Sequence, residues 1–416
     1  MIIKEVETFI LDVPFHEVPQ RNMERQLNGW HIVEMCRVTT EDGLVGYGET
    51  LPHYTWGRVS DAAKEKVKGK SAFDLLWDSS LGAGLQMALF DVAGKAAGVP
   101  AYKLMGTRHR EWCPISWWMI DGPAEDYAAQ AKDAVEQGYT SFKQKPRPWF
   151  DVYEQVRQTA EAVHDNFKID LDFNGLLVNA ANAVPILKEL EKCPKVAFFE
   201  SPIPQADVMG NKRIRQQTRC AIAMHYGDPS VPTAMQEEIC DGFVIGGGAS
   251  DCLNNFAVAA VFNKPGWLQL VGTGFTTTFG LHLGAVCSHA QWPMISCLNM
   301  YVDQLITRPI EVKGGFAKVP EEPGLGIEFN EDALKYKVDT IDKPNVSAIY
   351  AMARSNGEKI WFTGEGVTGG YGGESQAGNT PVFEHGVTLE RWEKDGSQDW
   401  QDLADRLKEG PVRSFL

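Results

Sequence analysis

Gly138-Tyr-Thr-Ser-Phe-Lys-Gln-Lys145 is the stretch from which the rest of the chain can be read. The glycine ends a helical run, a short apolar strand follows, and the strand finishes on Lys143 and Lys145. Alternate residues of a strand share a face, so the two ammonium groups point the same way. Each like charge disfavours protonation of the other, and burial adds to the effect. A lysine so placed becomes a usable base near neutral pH. In isolation a Lys-x-Lys is more simply a solvated strand end, so its surroundings must carry the argument.

Working outward, short apolar runs alternate with helical stretches from about Cys113 onward. The runs are 115–119, 141–145, 168–172, 196–200, 221–225, 242–245, 268–271 and 294–298, with helices predicted near 124–136, 151–164, 180–190 and 211–218. Eight such units argue for a (β/α)8 barrel. A doubly wound dinucleotide-binding sheet competes, but its glycine fingerprint is absent from every strand-to-helix turn. Gly370-Tyr-Gly-Gly-Glu374 has no strand–helix unit around it and reads as a flexible loop.

Functional residues of such barrels sit at the C-terminal ends of the strands. Four consecutive strand ends carry Lys145, Asp172, Glu200 and His225, at intervals of 27, 28 and 25 residues, one βα unit each time. Isolated carboxylates at buried strand tips are costly without a partner. A divalent cation held by Asp172 and Glu200 is the natural one, with a structural ion pair as the bland alternative. His225 could be a third ligand or a hydrogen-bonded core histidine, and Asp228 could supply an oxygen instead. Imidazole suits manganese, iron or zinc, whereas magnesium prefers oxygen.

The 416 residues exceed one ordinary core. Ahead of the barrel, residues 1–12, 30–39 and 44–50 read as strands, the last two joined by Glu41-Asp-Gly-Leu44. A helix is predicted over 82–98, with Leu85, Leu89, Val92 and Ala96 on one face. Two loops flank this block, 15–29 with His16, Arg21 and Arg25, and 51–57 with His53 and Trp56. Such polar and aromatic loops often gate sites, which makes His16, His53 and Trp56 expected substrate contacts. Past the turn-forming stretch 320–326 the chain is expected to return to the first domain, and 392–407 has helical spacing.

Net charge is −15, which argues against nucleic acid as a partner. No apolar run reaches the roughly 20 residues of a membrane span, and the first residues alternate like a strand rather than a signal peptide. Eight cysteines are scattered without a Cys-x-x-Cys and read as buried thiols of a cytoplasmic protein.

Several segments resemble the enolase superfamily, specifically its mandelate racemase and muconate lactonizing branch. The stretch from Gln86 to Gly106 looks like the helix closing the family's first domain. Lys143-Gln-Lys145 matches its Lys-x-Lys, Asp172-Phe-Asn174 its Asp-x-Asn, and Glu200-Ser-Pro202 its Glu-x-Pro. Asp241 through Gly247 and Pro323-Gly-Leu-Gly326 are further matches, in order, over residues 1–340. The resemblance implies an α/β protein with an α+β capping domain (1–110), a modified (β/α)7β TIM-type barrel (111–325), and a C-terminal return segment and extension (326–416). It also implies a small carboxylate substrate, bound magnesium (manganese being possible), and abstraction of the proton alpha to the carboxylate. Lys145 is then the base, Lys143 its electrostatic neighbour, Asp172 and Glu200 metal ligands, and Asn174 a substrate contact. A homo-oligomer is expected.

Three departures stand out. The third metal ligand falls on His225, or on Tyr226 in the racemase register. Strand six ends Val244-Ile-Gly-Gly-Gly248 without a lysine; Asp241 fits the family's aspartate, but Val271-Gly-Thr-Gly274 supplies no histidine. Asn299 stands where a glutamate is usual. With only the Lys145 face evident, dehydration of a hydroxy or sugar acid is favoured over racemisation, epimerisation or cycloisomerisation, because one group can serve both steps. A catalytically silent carboxylate binder is an alternative. Another is a Schiff-base aldolase with phosphate loops at Gly246–Gly248 and Gly272–Gly274.

Overall fold

The computed structural model describes residues 1–54, 58–343, 348–363 and 370–415. Its first layer is an antiparallel sheet in the order Lys337–Val338, Ile3–Asp12, Ile32–Thr40, Val45–Thr50. The chain therefore does return to the first domain, pairing Ile10 with Val338 and Leu11 with Lys337. The helix Ala83–Ala97 lies on this sheet and is buried from Gly84 to Gly94 on every face. Ala96, expected on the inner face, is exposed. The fit needs glycine: a Cβ on Gly48 would stand 2.1 Å from the Gly84 carbonyl oxygen. Gly98, at φ 66°, ends the helix in the left-handed conformation.

Seven parallel strands follow, in chain order around the barrel: Trp117–Trp118, Ser141–Gln144, Lys168–Asp172, Val196–Glu200, Ala221–His225, Gly242–Ile245 and Gly266–Leu268. The eighth run is not a regular strand. Met294 bridges Ile115 and Ile295 bridges Gln269, and these two contacts close the barrel. The seventh strand lies a few residues earlier than expected, because the Gly272–Gly274 stretch is spent on the turn into the helix Gly274–Val286.

The helices Val152–Ala162, Ala180–Leu190 and Val208–Gln217 begin on side-chain caps, which fixes where the strand-end loops before them stop. Asp151 accepts from the amides of Tyr153 and Glu154, Asn179 from Asn182, and Asp207 from Gly210. Such caps are worth about 0.5–2 kcal/mol each.

Three expectations are corrected. The 15–29 segment contains the helix Glu17–Met23, with Glu17 and Arg21 complementing its dipole. Gly370–Gln376 is helical rather than a flexible loop, with Tyr371 buried. Trp392 belongs to a strand, and the last helix is Gln398–Arg406. These tail elements form an antiparallel sheet in the order Thr388–Glu393, Ala348–Ala353, Glu358–Thr363, Val412–Phe415. One face packs on the Trp400 helix and the other on Trp149 and Phe150 of the barrel.

Candidate active site

Strand alternation sends Lys143 and Lys145 inward, as the Lys-x-Lys spacing requires. Lys143 is 1% exposed. Its Nζ lies 2.5 Å from Glu200 Oε2 and 3.3 Å from Asp172 Oδ2, and it donates to Gln269 Oε1 at 2.8 Å. Burial alone would lower its pKa, but the charges of Glu200 and Asp172 outweigh that and hold the ammonium above its ordinary value. Lys145 pairs with Asp172 Oδ2 and lies 3.2 Å from Asn174 Oδ1. Its pKa is lowered, chiefly by burial, with Asp172 opposing and the Lys143 charge adding to the shift. Asp172 stays ionised well below the usual carboxylate range: burial works against this, and the charges of Lys145 and Lys143 prevail. One lysine is thus a fixed cation, and the other gives up its proton more readily than a free lysine.

Above them is a cavity of about 270 Å³. Lys145, Arg147, Asn174, His225, Gln269 and Cys297 contribute to its walls, and Trp30, Tyr54 and Gln26 reach it from the capping domain. Arg147 is buried and donates to Asn174 Oδ1 at 2.9 Å. Burial and a hydrogen bond with Gln269 act oppositely on Tyr54, and the net effect raises its pKa. Burial also raises the Cys297 thiol.

The residues singled out in the sequence divide into two groups. Lys143, Lys145, Asn174, Asp172, Glu200 and His225 are brought together. His16 is instead exposed at the start of the Glu17–Met23 helix and lines a different hollow with Tyr139 and Asn299. His53 is turned away from the lysines, its Nε2 bonded to the Ile341 carbonyl. Trp56 lies outside the described residues. Asp241 is at the opposite end of its strand, pairing with Arg215 and accepting from the Ile222 amide. Asn299 satisfies both backbone polar groups of Trp118.

The Gly272–Gly274 turn is no free phosphate nest. The buried Glu49 carboxylate accepts from the amides of Thr273 and Thr276 and from the Thr273 hydroxyl. A capping-domain side chain fills the place where an anion would sit.

Of the three expected metal ligands, Asp172 and Glu200 are joined through Lys143, and His225 stands beside Glu200. His225 Nε2 lies 3.2 Å from Glu200 Oε1. However, no three His, Cys, Asp or Glu side chains among the described residues converge closely enough to hold a metal. Asp228 is exposed, and it is its backbone carbonyl that is engaged, by Gln205. Two buried carboxylates remain, with Glu200 Oε2 facing the Lys143 ammonium at 2.5 Å and Oε1 facing His225 at 3.2 Å. Two buried hard-oxygen donors on adjacent strand ends fit a magnesium-type cation, which one or two carboxylates commonly hold with water completing the sphere.

Sequence reading missed Arg147, Tyr54, Gln269 and Cys297. Arg147 could have been found, since it continues the alternation 143, 145, 147; the others reach the cavity from distant segments.

A family model described as enolase C-terminal domain-like matches residues 126–333. The D-gluconate dehydratase of Thermoproteus tenax is 26% identical over 74% of this chain and 71% of its own. Muconate cycloisomerase 1-1 of Acinetobacter lwoffii is 25% identical over 80% and 95%. The crystal structure of N-succinyl Arg/Lys racemase from Bacillus cereus superposes with a TM-score of 0.67 at 20% identity, over 82% of this chain and 99% of that one. The racemase and muconate cycloisomerase structures that this chain resembles share one architecture, a capping domain over a TIM-type barrel. The chain belongs to the mandelate racemase/muconate lactonizing enzyme family of the enolase superfamily.

Proposed function

We propose that this chain is an enzyme that removes the proton alpha to the carboxylate of a hydroxy or sugar acid and dehydrates it. The observation that carries this reading is the pairing of Lys145, its pKa lowered by burial, with the fixed Lys143 cation beneath a small cavity of mixed polar and apolar lining. Neutral Lys145 takes the alpha proton, and the Lys143 ammonium stabilises the negative charge left on the substrate carboxylate. Asp172 and Glu200 would hold a magnesium or manganese ion, whose charge supplies further electrostatic stabilisation there. Arg147 and Asn174, bonded to each other beside Lys145, orient the substrate.

His225 is half-exposed on the cavity wall, three strands around the barrel from Lys145. As imidazolium it donates a proton to the departing hydroxyl, which leaves as water, and the enol product becomes a keto acid. The same placement favours a second reading, in which His225 returns a proton to the opposite face and the product is an epimer. Incubation with a panel of sugar acids and magnesium in deuterated water, followed by NMR, separates them. Dehydration gives a keto acid and substrate of unchanged configuration, whereas epimerisation gives deuterated epimer. Absence of both exchange and product across the panel would favour a non-catalytic carboxylate binder.

A further inference from the structure

One face of the C-terminal sheet does not own its core. Trp149 and Phe150, in the loop just after Lys145, fill it together with Tyr350, Phe362 and Tyr371. The Trp149 ring lies 4.9 Å from Phe362 and 5.3 Å from Tyr371. Phe383 meets Phe173, the residue between Asp172 and Asn174, at 5.3 Å.

The same sheet reaches the capping segment. The Arg25 guanidinium lies 5.8 Å from the Tyr350 ring and 5.5 Å from Phe150, and Arg391 pairs with Glu24 at 3.1 Å. Arg25 is itself buried and ion-paired with Asp121 at 2.5 Å. The Asp121 carboxylate also accepts from Trp149 Nε1 at 2.8 Å and Gln26 Nε2 at 2.7 Å. Gln26 lines the cavity above Lys145. A helix of seven residues, such as Glu17–Met23, has too few turns to hold itself, so the order of this segment depends on what it packs against.

We infer that the C-terminal sheet buttresses the active site from outside the cavity wall. It holds residues 17–29 across the cavity through Tyr350 and Arg391, and so determines the opening by which substrate reaches Lys145. This does not depend on which reaction the lysines carry out.

Hydrogen exchange read by mass spectrometry on the full chain tests it, with peptides spanning 17–29. Tyr350→Ala removes the ring beside Arg25, Tyr350→Phe keeps it, and Arg391→Ala removes the pair with Glu24 together with the one to Glu393 on its own strand. Exchange over 17–29 should rise at least about tenfold in Tyr350→Ala and roughly two- to fivefold in Arg391→Ala. It should stay at the wild-type rate in Tyr350→Phe, with 32–40 and 168–172 unchanged in all three variants. Alkylation of Cys297 by iodoacetamide, mapped by peptide mass, should accelerate in the same order, because that thiol lies in the cavity wall. Wild-type rates at 17–29 and Cys297, alongside faster exchange in the C-terminal sheet, would make the sheet a passenger and overturn the inference. Should Tyr350→Ala loosen the whole molecule alike, Arg391→Ala decides by the same criterion.

Discussion

Lys143 Nζ lies 2.5 Å from Glu200 Oε2, reaching past the intervening strand Lys168–Asp172. A cation bound by Glu200 and Asp172 therefore shares its carboxylates with a permanent ammonium. Asp172→Asn and Glu200→Gln should each weaken manganese binding by about tenfold or more, because each removes a charged hard-oxygen donor. Lys143→Met should tighten it, since the competing charge is gone. Calorimetric titration checks all three, and unchanged affinity in both carboxamide variants would take the cation out of this site.

Lys145→Met should slow alpha-proton exchange by about 10²–10⁴, the usual cost of a lost general base. In the wild type the rate should climb as pH rises through the lowered Lys145 pKa, because only the neutral amine accepts a proton. Lys143→Met removes a positive neighbour and leaves Asp172 and Glu200 less neutralised. Both changes favour protonated Lys145, so the rising limb should move to higher pH. A limb that stays put would mean that another group titrates.

His225→Gln should separate the two halves of the reaction. Lys145 still removes the alpha proton, so exchange continues, while product formation falls by about 10²–10⁴ for want of the acid. Parallel losses of both would assign His225 to binding, through its contact with Glu200, instead of to proton delivery.

His282 makes acid stability testable away from the site. Its Nε2 donates to the Leu325 carbonyl at 3.0 Å, and its Nδ1 accepts from the Tyr102 amide at 3.3 Å. That arrangement requires a neutral ring, and burial pushes the pKa down to about 4. The folded value is below the unfolded one, so the stabilisation is complete above about pH 6.5 and is lost as pH falls toward 4, by at most about 3 kcal/mol. Urea midpoints should fall over that window, and less steeply in His282→Gln.

Much of this was legible in one dimension. The alternation of Lys143 with Lys145 and the regular spacing to Asp172, Glu200 and His225 follow from strand period and βα-unit length, both local properties of the chain. The helix Ala83–Ala97 was equally plain from its apolar spacing and Gly98. What a linear pattern could not contain is which distant groups meet. His53 and His16 looked like gating residues, yet one satisfies the Ile341 carbonyl and the other stands exposed at the start of a helix beside another hollow. The Gly272–Gly274 turn looked like a phosphate loop until Glu49, more than two hundred residues earlier, was seen to occupy it. Tyr54, Gln26 and Trp30 join the site only because the capping domain closes over the barrel, and Tyr350 meets Arg25 only because Trp149 and Phe150 complete a second core. Residue type and period determine which way a side chain points along its own element. Burial and partners, and with them charge state and role, depend on packing between elements, and that was decided only in three dimensions.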